Sequence, residues 1–294
     1  MRRVISILTL AVLCQAGAAW AQLAPYNEIG VTWGHIHMHP RDMVKETMAL
    51  LSLGGQLGNN LSPNVPIYFP GILILLQGGQ TPPKGGSEGT VVDHIAFRVP
   101  NLQESMEKWK AANWGLHAKD QPGSKPGQAF LTTASDVKIE ILEDRSLKVP
   151  IAFDHAHFLA PESGLKEMVD YYTNMYGAKP VRGEADTLSL PGGKLVFSKS
   201  ATALASPTGT SLDHIGFEIK GSHEGLEAFS KMIGAKGTKW SRPYRRSEFG
   251  NARPLDPAGV VIELTHGQDG YANHKNIEAP MVPCEARPIE PPCW

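Results

Sequence analysis

The chain has 294 residues, a formal net charge of −1 and three cysteines, and 41% of its residues are hydrophobic. This length allows one large domain or two ordinary ones. The balanced charge and the lack of a basic stripe exclude nucleic acid as an expected partner, and no segment after the N-terminus is long and apolar enough to span a membrane.

The N-terminus has the features of a signal peptide. Arg2 and Arg3 form a basic start, Val4 to Ala18 is an apolar run, and Ala19-Trp20-Ala21 fits a small-x-small cleavage site. A membrane anchor is the alternative, but the run is short and is interrupted by Gln and Gly. We predict that residues 1–21 are removed, that the mature protein is periplasmic or secreted, and that it has no membrane contact after cleavage.

A short histidine phrase occurs four times along the rest of the chain. The phrases are Gly34-His35-Ile36-His37, Asp93-His94-Ile95-Ala96, Asp154-His155-Ala156-His157 and Asp213-His214-Ile215-Gly216. His35 and His94 are 59 residues apart, and so are His155 and His214. Each phrase lies in a β-branched or aromatic run bounded by turn residues, which predicts a strand. A fixed internal period indicates repeated structural units.

A helical pattern and then several short strands follow each phrase. Asn101 and Glu104 are placed like a capping box before one helix. We expect a glycine to end each helix, as left-handed caps often require, at Gly54, Gly115, Gly177 and Gly234. The predicted fold is therefore α+β, with four βαβββ modules.

Two glutamates lie inside apolar strands at the ends of the second and fourth modules. They are Glu140 in Val-Lys-Ile-Glu-Ile and Glu263 in Val-Val-Ile-Glu-Leu. Burying a carboxylate is costly unless it is paired or coordinates a metal, although strand alternation could turn either one to solvent. A single strand histidine is more often a packed residue than a ligand. Four equivalent histidines with two such glutamates predict at least one metal site.

The modules resemble the vicinal oxygen chelate superfamily. Tandem βαβββ units carry a histidine on each first strand, and Asp256-Pro-Ala-Gly-Val-Val-Ile-Glu263 matches the family's Asp-Pro-x-Gly-x-x-x-Glu ending. The resemblance covers residues 30–267. It implies paired modules in two domains, which we place at residues 30–145 and 150–268, before a Pro-rich tail at residues 269–294. Members include extradiol ring-cleavage dioxygenases, glyoxalase I and bleomycin-resistance proteins.

The resemblance implies metal ligands in each half. The second half offers His155, His214 and Glu263, and the first half offers His35, His94 and Glu140. Two imidazoles and one carboxylate suit Fe(II) or Mn(II), and Zn(II) also fits. A fourth family ligand falls at Phe197 in the second half and at Leu75, Leu76 or Gln77 in the first.

Three further residues are candidate catalytic groups in the second half. His157 shares a strand face with His155 and could act as a base, or it could be a hydrogen-bonded wall residue, and His37 matches it in the first half. Arg253 and Tyr244 could contact a substrate, although neighbouring arginines also suit a solvated edge strand. Arg253 stands where extradiol dioxygenases carry a tyrosine, which departs from their pattern.

The leading functional hypothesis is an exported enzyme like the extradiol dioxygenases, acting on a small molecule with vicinal oxygens. A glyoxalase-like isomerase or lyase is the first alternative, and a non-catalytic small-molecule-binding protein is the second. We expect the second half to carry the chemistry, and a homo-oligomer is compatible with the sequence. We also predict a disulfide between Cys284 and Cys293, with two free thiols as the alternative.

Overall fold

The computed structural model describes residues 23–58, 64–79, 81–119 and 125–268. The predicted signal peptide and the tail, including Cys284 and Cys293, lie outside the described residues and stay predictions. No helix in the described ranges combines the length and apolar character needed to cross a membrane.

Four βαβββ modules follow one another, as predicted. The first contains β1 (Val31–Met38), α1 (Met43–Leu53), β2 (Gln56–Leu57), β3 (Asn64–Phe69) and β4 (Ile72–Gln77). The second contains β5 (Val92–Val99), α2 (Leu102–Ala112), β6 (His117–Lys119), β7 (Gln128–Thr132) and β8 (Lys138–Glu143). The third contains β9 (Ala152–Ala160), α3 (Glu162–Tyr176), β10 (Lys179–Pro180), β11 (Thr187–Leu190) and β12 (Gly193–Lys199). The fourth contains β13 (Leu212–Ile219), α4 (His223–Ala235), β14 (Lys239–Arg245), β15 (Asn251–Leu255) and β16 (Ile262–Thr265).

Local sequence explains where the helices begin. The side chains of Asp42, Asn101 and Ser222 accept hydrogen bonds from backbone N–H groups in the first turns of α1, α2 and α4, which satisfies donors that lack a partner within the helix. Helix α3 follows Pro161 and has no side-chain cap. The capping residue predicted at Asn101 is confirmed.

The modules pair differently from the sequence-based expectation, which joined consecutive modules. One eight-stranded sheet has the order β14-β15-β16-β13-β1-β4-β3-β2, so it combines the first and fourth modules. The other has the order β10-β11-β12-β9-β5-β8-β7-β6 and combines the second and third modules. The central contacts are antiparallel, between β1 and β13 and between β5 and β9.

Strand alternation separates a packed face from a histidine face on each first strand. On β1, Ile36 and Met38 belong to the hydrophobic core, so His35 and His37 point the other way. A register shift lies between Trp33 and His35, as a β-bulge produces, and it returns Trp33 to the core against Phe153 and Phe217. The histidines therefore line the face opposite the helices.

Candidate metal centres

The first and fourth modules bring three imidazoles to one carboxylate oxygen, in what we call the outer centre. The Nε2 atoms of His35, His37 and His214 lie 3.1, 3.2 and 3.0 Å from Glu263 Oε2. All four side chains are buried. β1 supplies His35 and His37, β13 supplies His214, and β16 lies parallel to β13 and supplies Glu263.

The geometry of the outer centre fits a metal ion. Metal–nitrogen and metal–oxygen distances of about 2.1 Å put adjacent ligand atoms about 3.0–3.4 Å apart, which agrees with the observed separations. Hydrogen bonding alone accounts for the cluster poorly, because three imidazoles share a single carboxylate oxygen.

Two groups of the outer centre have the protonation state that metal binding needs, while contacts with Asp213 and Glu263 outweigh burial and raise the pKa of the third, His214. Burial, followed by the nearby His214, lowers the pKa of His37 to about 3, so this imidazole is neutral and its lone pair is available. Burial opposes ionisation of Glu263, but its contacts with His214, His35 and His37 outweigh it and hold the pKa of Glu263 well below its usual value. An ionised carboxylate beside a neutral imidazole is the form that binds a cation.

The second oxygen of Glu263 is held from the other side. Arg253 donates from Nε and Nη2 to Glu263 Oε1, over 3.2 and 2.9 Å. The side-chain amide of Asn251 also donates to Oε1. Glu263 therefore presents only Oε2 to the three histidines, which fixes it as a monodentate ligand.

The second and third modules form a similar cluster, the inner centre, from His94, Glu140, His155 and His157. The Nε2 atoms of His94 and His155 lie 3.1 and 3.2 Å from Glu140 Oε2. His157 Nε2 lies 2.9 Å from Ser198 Oγ. Burial, followed by the charges of His94 and His155, lowers the pKa of His157 to about 3. The same chemistry is thus available twice in the chain.

Aspartates orient three of the ligand histidines. Asp93 and Asp154 contact Nδ1 of His94 and His155 at 2.7 and 2.8 Å, and Asp213 contacts Nδ1 of His214. Such contacts set the tautomer so that Nε2 offers its lone pair to a metal. Burial alone would lower the pKa of His155, but its bonds to Asp154 and Glu140 raise it instead.

The two centres differ on the strand beside the glutamate. By register, Ala252 pairs with Leu264 and Ala129 pairs with Ile141, so Asn251 matches Gln128 and Arg253 matches Phe130. Gln128 donates to Glu140 Oε1 as Asn251 does to Glu263. Phe130, however, packs edge-on to His94 with 5.7 Å between ring centroids. The inner centre therefore has no guanidinium at this position.

The outer centre lies on a cavity whose wall carries four amide side chains, Asn64, Gln77, Asn251 and Gln268. The cavity has a volume of about 180 Å³. Leu75, Gln77, Phe249 and Gln268 line it beside His37 and Glu263. Glu140 and Gln128 line a larger depression of about 540 Å³, together with the charged residues Lys125, Glu143 and Arg145. Within the described ranges, the outer centre is thus the better-shaped site for a small molecule.

All six predicted metal ligands lie in the two centres, but the predicted grouping is wrong. His155 does not join His214 and Glu263, because β9 pairs with β5 and not with β13. His94 and Glu140 likewise lie with His155 and not with His35.

The candidate catalytic residues are separated by the same pairing. His157 lies in the inner centre, whereas Arg253 lies in the outer centre. Tyr244 is in neither, since its hydroxyl lies 3.5 Å from His223 Nδ1. Phe197 does not face a centre but packs in the core against Phe158 and Tyr172. The neighbours of His37 and His157 in register are instead Leu75 and Val196.

The sequence interpretation missed several residues of the site. The aspartates had a visible signal, because Asp precedes the histidine in three of the four phrases. Asn251 and Gln128 had none, since nothing in the pattern distinguishes an amide that faces a glutamate from one that faces solvent.

Comparisons with known proteins agree with this architecture. No family model and no curated protein matches the sequence. Among solved structures, glyoxalase I from Zea mays, as wild type and in two variants, is similar with TM-scores of 0.60 to 0.64 and 15% identity. These matches cover 82% of this chain and 94 to 95% of the maize enzyme. A Bacillus subtilis protein provisionally described as a dioxygenase has a TM-score of 0.58 and 16% identity, with 86% and 91% of the two chains covered.

The protein therefore has the same fold as glyoxalase I from Zea mays and the Bacillus subtilis protein, in agreement with the fold that the resemblance implied. At these identities the likeness concerns the fold. The chemistry of this chain has to be argued from its own residues.

Proposed function

We propose that the protein is a divalent-metal-dependent enzyme that binds a small substrate through two neighbouring oxygens at the outer centre. The observation that carries the proposal is the convergence of His35, His37 and His214 on one oxygen of Glu263 at the wall of a cavity. Three imidazoles and a carboxylate suit Fe(II), Mn(II) or Zn(II).

The residues of the outer centre fall into two groups. Four would bind the metal, and the others position those four. The three imidazoles and Glu263 bind the ion, and Asp213 orients His214 from behind. Arg253 and Asn251 keep Glu263 monodentate. When bound, the metal would act as a Lewis acid that polarises a substrate oxygen.

The number of ligands favours an isomerase or lyase over a ring-cleavage dioxygenase. Fe(II) and Mn(II) commonly accept about six ligands, so four protein groups would leave about two positions for two substrate oxygens. No position then remains for dioxygen. This count reverses the preference based on the sequence, which assigned two histidines and one glutamate to each site.

The dioxygenase remains the second candidate for one reason. His35, His214 and Glu263 form by themselves a set of two histidines and one carboxylate, which non-haem iron oxygenases use. If His37 stays off the metal, a third open position becomes available. A metal-free binding protein is less well supported, because it does not explain why several buried imidazoles cluster around one carboxylate in each centre.

Metal analysis and oxygen consumption test the proposal together. We expect apo-protein to take up between one and two equivalents of Mn(II), Fe(II) or Zn(II) per chain after reconstitution, and His214→Ala to lower the content. Turnover of a 1,2-dioxygenated compound without oxygen uptake would support the isomerase or lyase. Stoichiometric oxygen uptake would support the dioxygenase, and wild-type protein that stays metal-free would refute both.

We also propose that the protein is exported, on the strength of the basic start, apolar run and cleavage motif in residues 1–21. The mature N-terminus is then expected near Gln22. N-terminal sequencing of protein from the native host checks this, and an intact Met1 would contradict it.

A further inference from the structure

With a divalent cation bound, the wall of the outer cavity would carry mainly positive charge. Arg253 and Glu263 are the charged residues that line it, whereas Asn64, Gln77 and Gln268 contribute neutral polar groups. In the proposed function Glu263 binds a divalent cation. The cation and the guanidinium together then leave the wall with an excess of positive charge, which attracts an anion.

Arg253 has donors to spare for such an anion. A guanidinium carries five N–H donors, and Glu263 Oε1 accepts from two of its nitrogens, Nε and Nη2. The Arg253 side chain is 28% exposed and lines the cavity. The remaining N–H groups can therefore reach a molecule beside the metal.

The neutral part of the wall offers acceptors. Gln268 is 5% exposed. Its Oε1 atom and Oδ1 of Asn64 are buried and have no hydrogen-bond partner among the described residues. Unpaired buried acceptors are costly, and a hydroxyl of a bound molecule would satisfy them. The cavity volume of about 180 Å³ suits a small molecule.

We infer that the substrate of the outer centre is a small carboxylate with an adjacent hydroxyl or carbonyl oxygen, a 2-hydroxy or 2-oxo acid. One carboxylate oxygen and its neighbour take the two open metal positions, and the other carboxylate oxygen accepts from Arg253. This inference rests on the proposed function. The inner centre has Phe130 in place of Arg253 and therefore lacks this particular contact.

Binding of small ligands to the full-length protein loaded with Mn(II) tests the inference. The probes are lactate, pyruvate and neutral hydroxyacetone, which is similar in size, measured by calorimetry at saturating metal. We expect wild type to bind lactate or pyruvate at least about tenfold more tightly than hydroxyacetone, as a charge-assisted hydrogen bond would give. Arg253→Met should narrow this difference clearly and leave only the preference that the metal itself has for a carboxylate.

Asn251→Ala is the matched control, because it removes a second donor to Glu263 and leaves the positive charge. It should weaken Mn(II) binding but keep the preference for the carboxylates. Equal affinities in the wild type, or an unchanged preference in Arg253→Met, would overturn the inference while metal binding stands. Failure of the wild type to bind any of Mn(II), Fe(II) and Zn(II) would instead overturn the proposed function.

Discussion

The two oxygens of Glu263 have different partners, so a substitution at this residue can test its role as a metal ligand. Oε2 faces the three imidazoles, and Oε1 accepts from Arg253 and Asn251. Replacing the carboxylate by an amide removes the negative charge and turns one of the two positions into a donor. Because Arg253 has only donors to offer, the amide oxygen would face it, and the amide NH2 group would face the imidazoles, where it cannot bind a metal.

Glu263→Gln should therefore lower metal affinity at the outer centre by about 10–100-fold or more, by analogy with other losses at metal sites. Activity should fall with it, while one equivalent of metal stays at the inner centre. Glu140→Gln is the counterpart, and it should remove the inner metal with a smaller effect on turnover. Metal titration and steady-state kinetics measure both. Loss of turnover in Glu140→Gln alone would place the chemistry at the inner centre.

Gly216 leaves space for the imidazole of His35, one of the proposed metal ligands. It pairs with His35 across β1 and β13, and a Cβ atom on Gly216 would overlap the His35 ring. The equivalent pair in the other sheet is Ala96 with His155, where a methyl group is accommodated. The outer centre thus packs its first ligand more tightly than the inner centre does.

We expect Gly216→Ala to displace His35 and to lose the outer metal selectively, with the inner metal retained. Ala96→Gly is the control and should leave both metals bound. Metal content by mass spectrometry and unfolding curves for both variants check this. A fully loaded, normally stable Gly216→Ala protein would show that His35 does not need this space.

The sequence indicated the metal ligands His35, His94, His155, His214, Glu140 and Glu263 but did not show which other side chains lie beside them. His35, His94, His155 and His214 were visible as a repeat, and Glu140 and Glu263 as charges in apolar strands. His37 and His157 were visible as matched residues, yet only the structure places His37 at 3.2 Å from Glu263 Oε2. Their role depends on a distance across strands, which the local pattern does not contain.

At the scale of elements, the sequence predicted helices and strands well and their ends less well. The expected glycine caps are confirmed at Gly54 and Gly177. Asn113 in the left-handed conformation ends α2 in place of Gly115. Gly234 lies inside α4, which continues to Ala235. Several residues can adopt a left-handed cap, so glycine alone does not locate a helix end.

The Asp-Pro-x-Gly turn before β16 is hydrogen-bonded to α3, the helix of the third module. Asp256 Oδ1 accepts from the backbone N–H of Val260 at 2.8 Å, and Oδ2 accepts from the Tyr172 hydroxyl at 3.0 Å. Burial raises the pKa of Asp256 to about 7 despite these bonds. The motif that suggested the family therefore also joins the two sheets through α3.

The raised pKa of Asp256 predicts a pH-dependent stability. The folded protein keeps this proton up to pH of about 7, whereas the unfolded chain releases it near its ordinary pKa of 3.8. The folded state therefore binds more protons in that window, and stability falls as pH rises, by at most about 1.4 kcal/mol per pH unit. Above a pH of about 7, the stability that the protonated Asp256 carboxyl contributes is lost.

Asp256→Asn keeps an uncharged side chain of the same shape and should remove this dependence. Urea unfolding of both proteins at pH 5, 6, 7 and 8, at equal metal content, should show wild type losing stability more steeply from pH 5 to 7. A stability difference that stays constant across the series would contradict the prediction.

At the scale of the whole molecule, the pairing of the modules is the feature that the sequence did not reveal. Any two βαβββ units can join their first strands, so the same hydrophobic pattern satisfies consecutive and nested pairing equally well. The choice depends on contacts between distant segments, such as the packing of Trp33 between Phe153 and Phe217. Both sheets share one hydrophobic core through such contacts.

Because each centre takes ligands from both halves of the chain, neither half should bind metal alone. Residues 23–149 and 150–268, expressed separately, should each lack a centre, and mixing them should restore up to two metal sites. Metal titration with size-exclusion chromatography measures this. Tight metal binding by monomeric residues 23–149 would contradict the nested pairing.

The nested pairing also fixes an order of events while the chain is being made. The inner ligands are all present once residue 157 has emerged, whereas the outer centre waits for Glu263, 228 residues after His35. Until β13 arrives, one edge of β1 has no strand to pair with, and open edges invite wrong partners. The cavity with Arg253 is thus completed last, so a truncated product ending before β16 would retain the inner cluster and never acquire the outer one.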